Sequence, residues 1–370
     1  MNLVNNSKIS DFKKLLDKKK NKKIFLITGK NSFYKSKANK FFRFSKDKVI
    51  KYYFKVSKLP EFKELTVILK EVEKFKPDII LAIGGGAVID YAKIVSIIDY
   101  RLSKNLKFKL VNYEDISKRK IYPLVAVPTT AGAGAEVTSN AVIYINKIKY
   151  SVENSLLIPE YFFLFSNLII SNPFKLKSSA GFDAIAQGVE SLISMKSNKS
   201  SVSFAKKSLK LSLNNYLSFL HKPNNENSKN MLFASHLAGK AINISKTTAP
   251  HAVSYPFSSL FGIDHGHAVS LTFEKFLLFN FKNLEHSKSN FDLAERYKII
   301  FKLFEVKNIN DLFDKIKFLK REANLIDLFP KLGININSSK DKILKQINIL
   351  RLRNNPINIS KNDIIKILND

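Results

Sequence analysis

The chain contains no cysteine. Disulfide frameworks and thiolate metal sites are therefore excluded, and a bound metal has to rest on nitrogen and oxygen ligands. No apolar run approaches the ~18 residues a membrane span requires. The opening residues, MNLVNNSKISDFKKLLDKKK, lack the apolar stretch of a secretory leader. The expectation is a soluble, cytoplasmic protein with no membrane partner. Glycine (12) and proline (11) are few among 370 residues. Acidic side chains are scarce too: 31 Asp+Glu stand against 62 Lys+Arg, for a formal net charge of +31. Such a surplus can mark a nucleic-acid-binding protein. Here the lysines are spread along the whole chain, in the company of frequent Ile, Asn and Phe, which has the character of a compositional bias. No nucleic-acid partner is expected, and a non-catalytic basic nucleic-acid-binding protein is the alternative from another class. The positive field would attract an anionic substrate.

What is present is enough for a sizeable core: 45% of the residues are hydrophobic. At roughly 150 residues per domain, two domains are expected. Residues 24–28 (IFLIT), 79–83 (IILAI) and 123–127 (PLVAV) are short apolar runs that end in turn residues, and a helical pattern with Ile89, Ala92, Val95 and Ile97 follows the second. Strands alternating with helices predict βαβ units and a mostly parallel sheet. Residues 136–170 are richer in β-formers and are expected to add antiparallel strands. After Asn172-Pro173 the pattern becomes helical throughout, so a boundary is placed at 172–178, with an α/β domain over 1–175 and an all-helical domain over 176–370. Residues 284–370 are helical and rich in Lys and Asn, with no chemistry legible in them.

Two turns carry candidate chemistry. Gly84-Gly85-Gly86, with Asp90 beyond it, lies between a buried strand and a helix, where backbone N–H groups can approach a pyrophosphate. The spacing is not the usual G-x-G-x-x-G. Pro128-Thr129-Thr130-Ala131-Gly132-Ala133-Gly134 follows the next strand, so both turns belong at the carboxyl edge of one sheet, where open α/β sheets bind ligands. Farther on, Asp183 and Gln187 stand four apart in FDAIAQGVES and share one helix face. Three of the six histidines fall at His251, His265 and His267. Imidazole and carboxylate donors suit iron, zinc or another first-row divalent ion. Periodicity alone does not pick the ligands out.

AIGGGAVIDYAK, VPTTAGAGAEVT, GFDAIAQGVES and PHAVSYPFSSLFGIDHGHA resemble, in order, the signature segments of the iron-containing (group III) alcohol dehydrogenases. The resemblance spans roughly residues 24–275. It implies an N-terminal nucleotide-binding α/β domain, a C-terminal helical metal domain, an active site in the cleft between them, and dimers or larger homo-oligomers. It also implies metal ligands at Asp183, Gln187, His251 and His265, with His267 as a cleft residue able to relay a proton. Cofactor contacts are implied at Gly29, Asn31, Gly84, Gly85, Gly86, Asp90, Thr129, Thr130, Gly132 and Lys149. The family's second ligand is usually His, so Gln187 is a departure. Either metal binding is lost, or the amide oxygen ligates and the site becomes more Lewis-acidic, and the second reading is adopted.

FDAIAQ with VES, and INISKTTAPHAVSY, are similar to the subgroup that reduces phosphonoacetaldehyde to 2-hydroxyethylphosphonate, in which a Gln at this place belongs to the pattern. The expected activity is metal-dependent, NAD(P)H-linked reduction of a small anionic aldehyde, with Fe2+ or Zn2+. Asn243, Lys246, Thr247 and Thr248 are the candidate substrate contacts, with Ser245 beside them and Lys196 and Ser197 following the Asp183 helix. After the first strand stand Gly29, Lys30 and Asn31, with no carboxylate to repel a 2′-phosphate, so NADPH is permitted alongside NADH. The alternatives within the superfamily are a general short-chain alcohol, lactaldehyde or polyol dehydrogenase and a dehydroquinate-synthase-like lyase.

Overall fold

A computed structural model describes residues 4–5, 8–112 and 114–369. Residues 1–3, 6 and 7, on which the leaderless reading partly rests, lie outside the described residues. The chain divides into two units, Met1–Thr130 with Gly134–Asn172, and Ala131–Ala133 with Pro173–Asp370.

The first unit is α/β. Its strands are β1 (Val4–Asn5), β2 (Lys23–Gly29), β3 (Val49–Lys55), β4 (Ile79–Gly84), β5 (Leu124–Pro128), β6 (Asn140–Ile145), β7 (Ile148–Glu153) and β8 (Tyr161–Phe162). Its helices are α1 (Ile9–Leu16), α2 (Lys30–Lys35), α3 (Ala38–Phe41), α4 (Phe62–Phe75), α5 (Gly86–Ile97), α6 (Leu106–Val111) and α7 (Asn167–Ile170). Six strands form one sheet in the order β1-β8-β5-β4-β2-β3, with every pairing parallel. β4 and β5 are buried along their whole length. A parallel strand covered on both faces has no polar side to show, which is why these segments read as unbroken apolar runs. The β-rich stretch after residue 136 supplies the antiparallel pair β6–β7.

In the parallel register Gly84 lies opposite Pro128, so the two glycine turns begin side by side. The Thr129 N–H donates to the Gly84 carbonyl at 3.0 Å. A Cβ on Gly84 would fall 2.6 Å from Val88, inside the first turn of α5, so this close strand-to-helix reversal requires glycine. Beneath the turns sits Lys93, fully buried on α5. Its ammonium donates to the Thr138 carbonyl (2.9 Å), Thr138 Oγ1 (2.8 Å) and the Asn140 carbonyl (2.9 Å). It thereby ties α5 to the antiparallel pair.

The second unit is all-helical: α8 (Phe174–Ile193), α9 (Lys199–His221), α10 (Asn225–Ser245), α11 (Ala249–Phe261), α12 (His265–Ser270), α13 (Phe273–Lys282), α14 (Leu293–Phe304), α15 (Ile309–Glu322), α16 (Ile336–Lys345), α17 (Ile349–Leu352) and α18 (Lys361–Asn369). The polar start of α9 is closed by a reciprocal Asn198/Ser201 capping box, and that of α10 by Asn224/Asn227. α8 is buried on every side from Lys177 to Ile193, with only Ala180 partly open. Phe257 of α11 packs with Phe329, Ile343, Ile364 and Leu368, which fastens the Lys/Asn-rich tail to the metal-bearing helices. Among the described residues, no helix is long and apolar enough to cross a membrane.

Burial pushes the Lys93 amine down to about 8 from its ordinary 10.5, against the pull of Asp90 and Glu136. Between those two values the unfolded chain binds more protons than the folded one, so stability rises with pH across that window. Lys93→Met removes three donated bonds and strands two carbonyls. It is expected to cost about 3 kcal/mol by urea unfolding at neutral pH. The gap to the parent protein should widen from pH 8 towards pH 10.5, since only the parent has an amine to neutralise.

Candidate metal centre

A helix buried on all sides can keep polar side chains only where they are paired or used. On α8, Asp183, Gln187 and Glu190 are buried and repeat at i, i+4 and i+7 along one face. α12 lies tightly against this helix. A Cβ on Gly266 would fall 1.9 Å from the Ser179 carbonyl oxygen and 2.9 Å from Asp183 Cβ, so only glycine admits the approach. That approach sets His265, the first residue of α12, opposite Asp183, with His265 Nε2 4.0 Å from Asp183 Oδ1.

α11 brings the second imidazole. Its N-terminus is closed by the Glu190 carboxylate, which accepts from the Thr248 N–H (2.8 Å), the Thr248 hydroxyl (2.9 Å) and the His251 N–H (3.4 Å). The other Glu190 oxygen pairs with His251 Nδ1. With Nδ1 held there, Nε2 faces Asp183 Oδ1 at 3.1 Å. A carboxylate behind a histidine, fixing its tautomer and ring plane, is the arrangement that orients metal-ligating imidazoles. Asp183, His251 and His265 each present a donor atom within 4.8 Å of the others'.

Gln187 stands one turn along α8 from Asp183. Its Nε2 donates to Asp183 Oδ2 at 3.0 Å, which orients the amide. Its Oε1 is buried and accepts no hydrogen bond among the described residues. A buried amide oxygen without a donor is costly, and a cation at the cluster would satisfy it. Two imidazoles, a carboxylate and an amide oxygen, without thiolates, fit a first-row divalent ion. The electrostatics point the same way. Burial would raise Asp183, but His251, His265 and Gln187 outweigh it and hold the carboxyl below its usual range. Burial opposes charge on His251, yet Glu190 and Asp183 raise it to about 9. The two acids favour positive charge at this spot.

The remaining candidates are placed as follows. His267 lies outside the cluster of donor atoms: its Nε2 bonds the Ile326 carbonyl at 2.7 Å, and its N–H donates to Ser179 Oγ at 3.1 Å. Any proton relay through it is confined to Nδ1. Asn243 lies in the last turn of α10, and Lys246 and Thr247 form the link into α11. Lys246 holds φ 61, ψ −179, a backbone region that is almost exclusive to glycine and costs about 1–3 kcal/mol. Thr248 requires a correction. Its hydroxyl is committed to Glu190, so it shapes the His251 support and is not available as a substrate donor.

In the first unit, Gly29 caps α2 at the end of β2, and Gly84, Gly85, Gly86, Thr129 and Thr130 line the paired turns, where a Cβ on Gly85 would meet Thr130 at 3.4 Å. Asn31 is exposed on α2. Asp90 and Lys149 are brought together: burial pushes Asp90 up to about 6, while Lys93, the Val142 N–H and Lys149 pull it down. Gly132 belongs with the second unit, where a Cβ would lie 2.9 Å from the Ala180 carbonyl oxygen. Helix packing accounts for that glycine.

Sequence reasoning missed Glu190, although its spacing of seven from Asp183 was there to be read. It also missed the tail. Tyr255 stacks on His265 with ring centroids 6.0 Å apart and is hydrogen-bonded by Arg351. Asn354 bonds the segments that carry Lys196 and Lys246. The region after residue 284, read as carrying no chemistry, therefore reaches the site.

Asp183→Ala, His251→Ala and His265→Ala are expected to abolish metal retention, measured as metal content after gel filtration. Glu190→Gln keeps every ligand but loosens His251. It is expected to weaken metal affinity roughly 10–100-fold in a chelator competition.

Residues 2–165 match the family described as iron-containing alcohol dehydrogenase, and residues 177–370 match the C-terminal part of the Fe-containing alcohol dehydrogenase family. An alcohol dehydrogenase of Thermococcus barophilus is 30% identical over 203 residues, 53% of either chain. A 4-hydroxybutyrate dehydrogenase of Clostridium kluyveri is 30% identical over 222 residues, 58% of either chain. The aligned part of the chain thus spans little more than half the length of these curated relatives. Among solved structures, sulfoacetaldehyde reductase from Bifidobacterium kashiwanohense in complex with NAD+ superposes with a TM-score of 0.86 at 23% identity, covering 97% of this chain and 93% of that one. A 1,3-propanediol oxidoreductase gives a TM-score of 0.83 at 22% identity, covering 98% and 94%. With both halves matched by the family and its fold shared along nearly the whole length, the chain belongs to the iron-containing alcohol dehydrogenase family.

Proposed function

We propose that the chain is a metal-dependent, NAD(P)H-linked aldehyde reductase that converts phosphonoacetaldehyde to 2-hydroxyethylphosphonate. The observation that carries the reductase reading is the Asp183–His251–His265 cluster beside the buried, bond-less Gln187 Oε1. These four residues would hold the metal, with Fe2+ or Zn2+ suited to the donors. A bound divalent ion supplies Lewis-acid stabilisation of negative charge on a carbonyl oxygen, and a nicotinamide supplies the hydride.

The protein's part is position and electrostatics. Glu190 fixes His251 with Nε2 forward. Gln187 and Asp183 hold each other through their side chains. In the first unit, the N-terminus of α5 after Gly84, Gly85 and Gly86, with Thr129 and Thr130 beside it, offers backbone donors to a dinucleotide phosphate. Asp90 and Lys149 are the further cofactor contacts. The absence of a carboxylate at Gly29, Lys30 and Asn31 leaves room for NADPH as well as NADH. His267 would exchange a proton with the product hydroxyl at Nδ1.

The phosphonate is supported by the amide, the cation and the hydroxyl that precede His251. Asn243, Lys246 and Thr247 come from the end of α10 and the link into α11, and a phosphonate oxygen accepts strong charge-assisted bonds from such groups. Two of the similar proteins are named for compounds with an anionic group at the far end, 4-hydroxybutyrate and sulfoacetaldehyde.

The test is anaerobic loading with Fe(II), and separately with Zn(II), followed by NADH and NADPH oxidation with phosphonoacetaldehyde and with propionaldehyde. Metal-dependent turnover that strongly favours the phosphonate is expected. Turnover of propionaldehyde alone would discard the phosphonate, and no turnover of either would discard the reductase.

A further inference from the structure

We propose that Arg351, with Lys246 and Lys196, forms the receptor for the anionic group of the substrate, and that Asn354 is the positioning residue that gathers the three. This rests on the aldehyde-reductase reading and assigns the part of that site that selects among aldehydes.

Asn354 is buried, 5% exposed, at the meeting of three segments distant in sequence. Its Nδ2 contacts Ser194 Oγ (2.9 Å), the Ser245 carbonyl (2.8 Å) and the Thr247 carbonyl (2.9 Å). Its Oδ1 accepts from the Lys196 N–H at 3.3 Å, and its own carbonyl accepts from the Met195 N–H at 3.1 Å. The residues on either side of Lys246 and the backbone of Lys196 are therefore held by one side chain. Arg351 lies one helical turn earlier: the Asn354 N–H donates to the Arg351 carbonyl at 3.2 Å. Asn348 caps that turn through the Arg351 N–H at 2.9 Å, and its own N–H reaches the Ala252 carbonyl, beside His251, at 3.4 Å. The turn is docked against the N-terminal half of α11.

From there the Arg351 side chain reaches the Tyr255 hydroxyl, and the Tyr255 ring stacks on His265. A guanidinium thus stands one aromatic ring away from the metal donors. Asp183 and Glu190 are the acids that act on the same Tyr255 hydroxyl, from the metal end. The strained backbone at Lys246 gives a second, independent sign of use. A lysine is kept in a conformation that glycine would adopt without cost. Arginine presents a planar fork suited to two oxygens of one phosphonate, sulfonate or carboxylate, while lysine adds point charge.

The full-length, metal-loaded protein and its Arg351→Gln and Arg351→Lys variants are compared by KM for phosphonoacetaldehyde, sulfoacetaldehyde and propionaldehyde. Calorimetric titrations with ethylphosphonate and ethanesulfonate run in parallel. Arg351→Gln is expected to raise KM for the two anionic aldehydes roughly 10–100-fold more than for propionaldehyde and to weaken anion binding by a similar factor. Arg351→Lys should recover part of both. An equal change for anionic and neutral aldehydes would mean that Arg351 merely supports Tyr255, and would overturn the proposal. So would the parent protein's failure to bind either anion. Should no aldehyde be reduced, the reductase reading falls, and the titrations still decide this one. If Arg351→Gln does not fold, Lys246→Gln is measured in the same way, and the same two outcomes support or overturn the receptor.

Discussion

Two carboxylates are buried on one face of α8, and the second unit is arranged around keeping them satisfied. Asp183 and Glu190 flank the His251 ring, one at each nitrogen. Charged groups taken out of water are tolerated only with partners in good geometry. Those partners come from everywhere: two N–H groups and a hydroxyl at the start of α11, an imidazole from α12, and the amide of Gln187. Gly266 exists at its position because α12 could not otherwise come close enough to deliver His265. The metal-binding constellation is in this sense the solution to a burial problem, and its ligands and supports cannot be exchanged independently.

The same logic separates what the sequence disclosed from what it concealed. The central strands were legible because parallel strands covered on both faces have to be apolar without interruption, and residues 24–28, 79–83 and 123–127 lie within or across β2, β4 and β5. The glycine turns were legible because they end those strands. Asp183, His251 and His265 were legible only through the resemblance of their segments to a known family, since spacing and composition did not separate them from His267 or from other helix carboxylates. Glu190, by contrast, looks like any helix glutamate until its burial is known. Thr248 looked like a donor to substrate because nothing local reveals that its hydroxyl already serves Glu190. Gly132 sits in a phosphate-like turn, yet its missing Cβ makes room for Ala180. Arg351 and Asn354 left no trace at all. In a chain with 62 basic residues, one more arginine in a Lys/Asn-rich tail carries no signal.

On the proposed reading, the two units would carry different kinds of recognition. The first presents backbone, at the paired ends of β4 and β5, where glycine keeps side chains out of the way. The second presents side chains, few in number and each held by another. A backbone cradle accepts a common cofactor with little regard to its neighbours, whereas a side-chain site can change preference through single residues.

Asn354 has a consequence for how the protein comes into being. Its side-chain bonds join residues 107 to 160 positions apart. The helices that carry Asp183, His251 and His265 leave the ribosome long before the residue that fastens the loops beside them. Domains generally fold as units, and the tail shares one unit and one apolar core with α11. The helices of the metal centre would therefore wait for the last residues to be translated before they close.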